Sequence, residues 1–169
     1  MRSADFPGDA VTDAPPFLVD VDQSDGRVAV EVRAEGRRHS AVVERVHDLR
    51  LRPHIPIGTR ERQHLRMMVD DLPVDLRPGP GRWSRHSYRV VAEHEGHQYV
   101  YRPRTSESSR LLRDGFRVGD FTVLHGGGVL AEWIGDPEPV DVAIGYALAA
   151  AFGAGAEFFL VAFLEHPAL

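Results

Sequence analysis

The chain has 169 residues, 43% of them hydrophobic, and a formal net charge of −5. That length supports one domain able to bury roughly two thirds of its unfolded surface. The lack of any cysteine excludes a disulfide framework and a thiolate metal site, and it is compatible with a reducing, cytoplasmic setting.

Charge is unevenly spread. Residues 1–26 hold one Arg and six acids, residues 27–117 hold 19 Arg and 12 acids, and residues 118–169 hold no Arg and seven acids. The middle is therefore a basic surface suited to phosphates or an acidic partner, or else it is neutralised by the chain's own acidic ends. The negative overall balance favours internal compensation and argues against specific nucleic-acid binding.

In chain order, "MRSADFPGDAVTDAPP" has a single Arg2 and no apolar run, so it does not serve as a secretory signal and reads as a disordered acidic leader. From Phe17 the pattern has period two. "RVAVEVR" puts Val28, Val30 and Val32 on one face and charged residues on the other, as a half-buried strand requires. "FLVDV" pairs with it across Asp25-Gly26, and "RHSAVVERV" follows Glu35-Gly36 as a less regular third strand carrying Val42, Val43 and Val46.

Residues 47–82 are the least legible stretch, because Pro53, Pro56, Pro73, Pro78 and Pro80 interrupt it. Proline fixes φ and removes a backbone donor, so no long regular element is expected there. Within residues 59–71 a short helix capped by Thr59 competes with a strand at Leu65–Val69, and the strand is preferred.

Beyond Trp83, five runs alternate with turn signals: "SYRVVAEH", "HQYVYRPR", "SRLLRD", "FRVGDFTVL" and "GVLAEWI". Glu95-Gly96, the polar "TSES", Asp114-Gly115 and Gly126-Gly127-Gly128 separate them. Glycine takes positive φ without steric penalty, so such pairs predict tight hairpins and an antiparallel meander of eight to ten strands.

"GDPEPVD" then opens a helix over about 139–152, with Pro139 in its first turn and Glu138 and Asp141 near the positive end of the dipole. Every residue from 140 to 152 except Asp141 is small or apolar, so the helix belongs in lipid or in a core. A span needs about 20 continuous apolar residues. Only fifteen uncharged residues separate Asp141 from Glu157, most of them alanine or glycine, and no arginine flanks them. A core is therefore preferred. The expected fold is mainly β: an antiparallel meander closing into a barrel around this helix, with "AEFFLVAFL" as a second short helix or a last strand. Docking of the apolar tail into another subunit is the rival expectation.

The meander, the run "SRLLRDGFRVGDF" and the apolar helix opened by "EPVDVAIGYALA" resemble the tubby-like, LURP-one-related and phospholipid-scramblase-like superfamily, over roughly residues 83–152. The resemblance implies a β-barrel enclosing a hydrophobic C-terminal helix. It transfers no activity and no functional residue.

Candidate chemistry is sparse. "DVDQSDGRVAVE" places Asp20, Asp22, Ser24 and Glu31 as in a calcium loop, yet Asp25 stands where the bend needs glycine, so a hairpin is preferred. His94 and His97 flank a turn, and with His125 they mark a rival site at a barrel mouth for a small enzyme or ligand carrier. The ligand number that zinc wants is not legible, and neither a metal nor a cofactor is expected. "HGGGV" lacks the Lys-Ser/Thr of a phosphate loop, and no G-x-S-x-G elbow exists. The concentration of Arg50, Arg52, Arg60, Arg62 and Arg66 between the strands is the candidate anion-binding segment, because guanidinium groups bind phosphate bidentately. The expected role is a non-enzymatic binding or scaffolding domain, directed at anionic lipid headgroups or a protein partner.

Overall fold

The computed structural model describes residues 17–47, 50–82 and 84–155. Among the described residues, ten strands follow one another in a single antiparallel meander: β1 Leu18–Ser24, β2 Arg27–Ala34, β3 Arg37–Arg45, β4 Leu65–Val69, β5 Leu72–Pro78, β6 Val90–His94, β7 His97–Pro103, β8 Ser108–Arg113, β9 Phe116–Val123 and β10 Val129–Trp133. The sheet curls into a half-barrel around one helix, α1, Pro139–Phe152. Spatial order equals chain order, with β1 and β10 as the edges.

Local chemistry explains the hairpins. Glu35-Gly36, Glu95-Gly96 and Asp114-Gly115 take positive φ at both positions, the conformation of tight turns whose twist matches that of the strands. Alternation then sorts the side chains. Val28, Val30 and Val32 of β2 are buried, and they face Val43, Ala41 and His39 of β3. The third strand differs from the expectation in its facing: Ala41 and Val43 point inward, Val42 is half-buried, and Val46 lies beyond the strand end, exposed.

α1 is the core of the half-barrel. Eleven of its 14 residues are buried, and Val142, Ile144 and Leu148 are fully enclosed. Each large aliphatic side chain so buried contributes roughly 1.5–3 kcal/mol. The helix packs on β1 to β4 and on β8 to β10, so it spans the inside of the sheet and reaches both edges. From the opposite wall, β7 sends two long side chains to it. Tyr99 donates to Asp141 Oδ1 at 2.7 Å near the first turn, and Tyr101 donates to the Gly153 carbonyl at 2.8 Å beyond the last. Glu138 caps the helix in a box with Asp141, whose Oδ2 accepts the Glu138 backbone N–H at 2.9 Å.

The proline-rich middle is more regular than its composition suggests. Leu65–Val69 is a strand, as expected, preceded by a 3-10 turn at Arg62–His64. The expectation that no long element survives there is corrected by β5, seven residues including Pro73 and Pro78. Pro78 ends the strand, while Pro73 sits beyond the stretch where β5 is paired with β6, so its missing N–H breaks no ladder bond on that side. The turn before β5, Asp70-Asp71, takes positive φ at both residues without glycine, so no turn signal announced it.

An antiparallel meander sends alternate connections to opposite ends. The long connections, residues 46–64 and 79–89, thus share one mouth with the β7–β8 and β9–β10 turns and with the C-terminal end of α1. Ile55 and Ile57 of the first connection are buried, and the Ile57 N–H donates to the Ala151 carbonyl at 2.9 Å, so this loop closes the mouth over the helix end. Residues 1–16 and 156–165 lie outside the described residues, and so do the leader and the second short helix or last strand expected of them. No helix among the described residues is long and apolar enough to cross a membrane.

Candidate functional site

The helix occupies the space a ligand would need inside the sheet. Two open depressions, of about 280 and 460 Å³, lie on the outside near β1, β2 and β3.

The five candidate arginines do not converge. Arg60 is only 6% exposed and donates to the carbonyls of Gly79 at 2.9 Å, Tyr88 at 2.6 Å and Arg89 at 3.5 Å. Its guanidinium lies between the rings of Tyr88 and Phe152, with centroids at 5.5 and 5.3 Å. Burial first, then the neighbouring charge of Arg52, push its pKa down to about 10. Arg52 donates to the carbonyls of Pro80 and Gly81. Arg62 is paired with Asp75 at 2.6 Å and Arg66 with Glu44 at 2.7 Å. Arg50 is exposed and has no partner among the described residues.

Proline explains this use of arginine. Segments rich in proline lack backbone donors, so their carbonyls accept from side chains instead. Arg52 and Arg60 supply those donors, and Arg45 does likewise for Ile57 O at 3.0 Å while its other nitrogen reaches Asp25. Arg60→Ala should therefore cost about 2–3 kcal/mol of stability, the scale of charged hydrogen bonds lost from buried carbonyls, as measured by urea unfolding.

Removing these structural arginines leaves a different set. Arg50, Arg82, Arg85, Arg89 and Arg102 are exposed and pair with no carboxylate among the described residues. Arg50 lies in the 46–64 connection, Arg82, Arg85 and Arg89 lie in the 79–89 connection, and Arg102 lies near the end of β7, all toward the mouth where α1 ends. The charge of Arg82 reaches Arg52 and, after burial, helps to lower its pKa. On the adjoining outer face Arg102 stands directly opposite Arg110, a like-charged pair that folding alone disfavours. Arg110, Arg104 and Arg117 all bind Asp120. Burial opposes the ionisation of Asp120, but hydrogen bonds from Arg110 and Arg117 overcome it and hold the carboxyl below its ordinary value. Arg102 has no such partner among the described residues. Of these five, only Arg50 was singled out from the sequence, since pairing across the sheet and not proximity in the chain decides which guanidinium stays free.

The histidines do not form one site. His94 and His97 face each other across the β6–β7 hairpin, whereas His125 sits in the β9–β10 turn at the opposite mouth. No group of three metal-ligating side chains occurs among the described residues. His97 instead belongs to a brace the sequence did not reveal. Its Nδ1 lies 2.6 Å from Asp114 Oδ2 and its Nε2 lies 2.9 Å from an Arg113 nitrogen. Arginine only donates, so Nε2 accepts and Nδ1 carries the proton given to Asp114. Arg113 continues to Asp141 at 3.1 Å and Glu138 at 3.0 Å. The Gln98 backbone N–H, then His97, hold the Asp114 carboxyl below its usual range. Burial, then the bond to Asp141, push the Tyr99 phenol far above its own.

The calcium-loop spacing is a hairpin, as preferred: Asp20 pairs with Glu31 across β1 and β2. Comparison of the chain with family models, with curated proteins and with solved structures finds no match.

Proposed function

We propose that this protein is a non-enzymatic binding domain that engages anionic headgroups at a membrane surface through the arginine-lined mouth where α1 ends, in the cytoplasm. The observation that carries the reading is the gathering of Arg50, Arg82, Arg85, Arg89 and Arg102 there, exposed and without a carboxylate partner among the described residues. Most arginines elsewhere on the described surface are neutralised by acids, for instance Arg27 and Arg66 by Glu44, or Arg33 and Arg38 by Glu31. A helix-filled interior supports a role at the surface, and a curled sheet around a buried apolar helix supports kinship with the tubby-like and scramblase-like superfamily as part of the same proposal.

Flotation with vesicles of phosphatidylcholine, with and without phosphatidylserine, tests it. Each basic residue near an anionic surface is worth about 1 kcal/mol, so the Arg82→Ala/Arg85→Ala/Arg89→Ala variant should bind the anionic vesicles roughly a hundredfold more weakly. Arg37, at the opposite end of the sheet and without a carboxylate partner among the described residues, is the control, and Arg37→Ala should leave binding unchanged. Equal loss from Arg37→Ala, or none from the triple variant, overturns the reading. Binding to soluble polyglutamate but not to vesicles reassigns the mouth to an acidic protein partner.

A further inference from the structure

The two edges of the sheet, β1 and β10, flank a seam that no other described strand occupies. β1 and β10 exchange no ladder bonds, although they converge at one end, where Gln23 Oε1 stands 3.1 Å from the place a Cβ would take on Gly127. Between them the inward side chains are only half-buried: Val19 and Val21 from β1, Ala131 and Trp133 from β10, and Tyr146 from α1 beneath. Elsewhere in the sheet the inward residues are enclosed, such as Val32, Val43, Val69 and Leu111 at 0% exposure. The seam thus offers an apolar floor and two rows of backbone donors and acceptors, the requirements for adding a strand.

The rim identifies the occupant. Asp20 and Asp22 project outward and exposed from β1, Glu132 does so from β10, and Asp136 follows it; none has a cationic partner among the described residues. An extended segment presenting apolar side chains inward and basic ones outward satisfies floor and rim together, because alternate residues of a strand face opposite sides. The chain's own ends do not fit this description, since residues 1–16 hold one Arg against three acids and residues 156–169 hold two acids and no Arg. We infer that the β1–β10 seam is a docking site for an extended segment of a partner protein with alternating apolar and basic residues, which adds to the sheet as a further strand. β1 and β10 run antiparallel to each other, so a single added strand lies antiparallel to one edge and parallel to the other. The site is separate from the arginine-lined mouth and draws the opposite charge.

The probe is a synthetic peptide of about seven residues alternating valine and arginine, matched to the length of β1. Its binding is followed by titration calorimetry and by hydrogen exchange of the full chain. Expected are saturable binding, slowed exchange in Leu18–Ser24 and Val129–Trp133, and about tenfold weaker binding to the exposed-site variant Asp20→Asn/Asp22→Asn/Glu132→Gln. A valine–glutamate peptide should not bind, and a valine–arginine peptide methylated at alternate backbone nitrogens should not bind either. No saturable binding, equal binding of the methylated peptide, or exchange unchanged at both edges overturns the inference; equal binding of the glutamate peptide does so as well.

Discussion

Asp141→Ala should destabilise the fold by about 3–5 kcal/mol, the cost of removing one partner from a buried ionic cluster. Asp141 is 4% exposed and receives hydrogen bonds from Tyr99, Arg113 and the Glu138 backbone. Its loss leaves a half-buried guanidinium without its main counter-charge, a buried phenol without its acceptor and a helix without its cap. Asp141→Asn keeps the shape and one acceptor oxygen but not the charge, so its penalty should fall between that of Ala and zero. Glu138→Gln, which removes the exposed partner of Arg113, should cost less than about 1 kcal/mol. Urea unfolding of the three variants gives the order directly, and a loss below about 1 kcal/mol for Asp141→Ala would show that the brace does not hold the helix.

Gly145 and Phe121 make the second large effect, through a change of sign. Glycine inside a helix is normally improved by alanine, by about 1 kcal/mol. Here a Cβ on Gly145 would fall well inside van der Waals contact with the Phe121 ring, which is fully buried against Tyr101, Trp133 and Tyr146. Gly145→Ala should therefore be destabilising by about 1–3 kcal/mol, the usual cost of overpacking. Phe121→Ala alone should cost about 3–5 kcal/mol. In the Phe121→Ala background, Gly145→Ala should become stabilising, because the collision is gone and helix propensity remains. A double-mutant cycle by thermal or urea unfolding measures the coupling, and additive effects would mean that the ring and the helix do not meet as described.

Where local chemistry governs, the sequence was legible. β7 to β10 and most of β6 follow from alternation and turn signals, although Ser87 and Tyr88, read as the start of β6, form a 3-10 turn at Arg85–Tyr88, and the helix limits follow from Pro139, the acidic first turn and Gly153. The same reasoning missed β5, because proline argues against a strand wherever it falls, while the pairing of the neighbouring strand determines whether its missing donor matters. It also grouped Arg50, Arg52, Arg60, Arg62 and Arg66 by closeness in the chain. Their fates differ because Asp75 and Glu44 arrive from other strands, and because carbonyls of residues 79–89 claim Arg52 and Arg60.

The chain alone determined that the described residues form a meander of short strands with a helix too apolar to face water, since periodicity and turn chemistry act over a few residues. Only the tertiary structure decided which of the described arginines remain free, that Tyr99 and Tyr101 tether the helix at both ends, and that β1 and β10 stay unpaired with each other beside exposed carboxylates. Those features depend on groups distant in the chain meeting across a curved sheet, and neither composition nor spacing encodes such meetings locally.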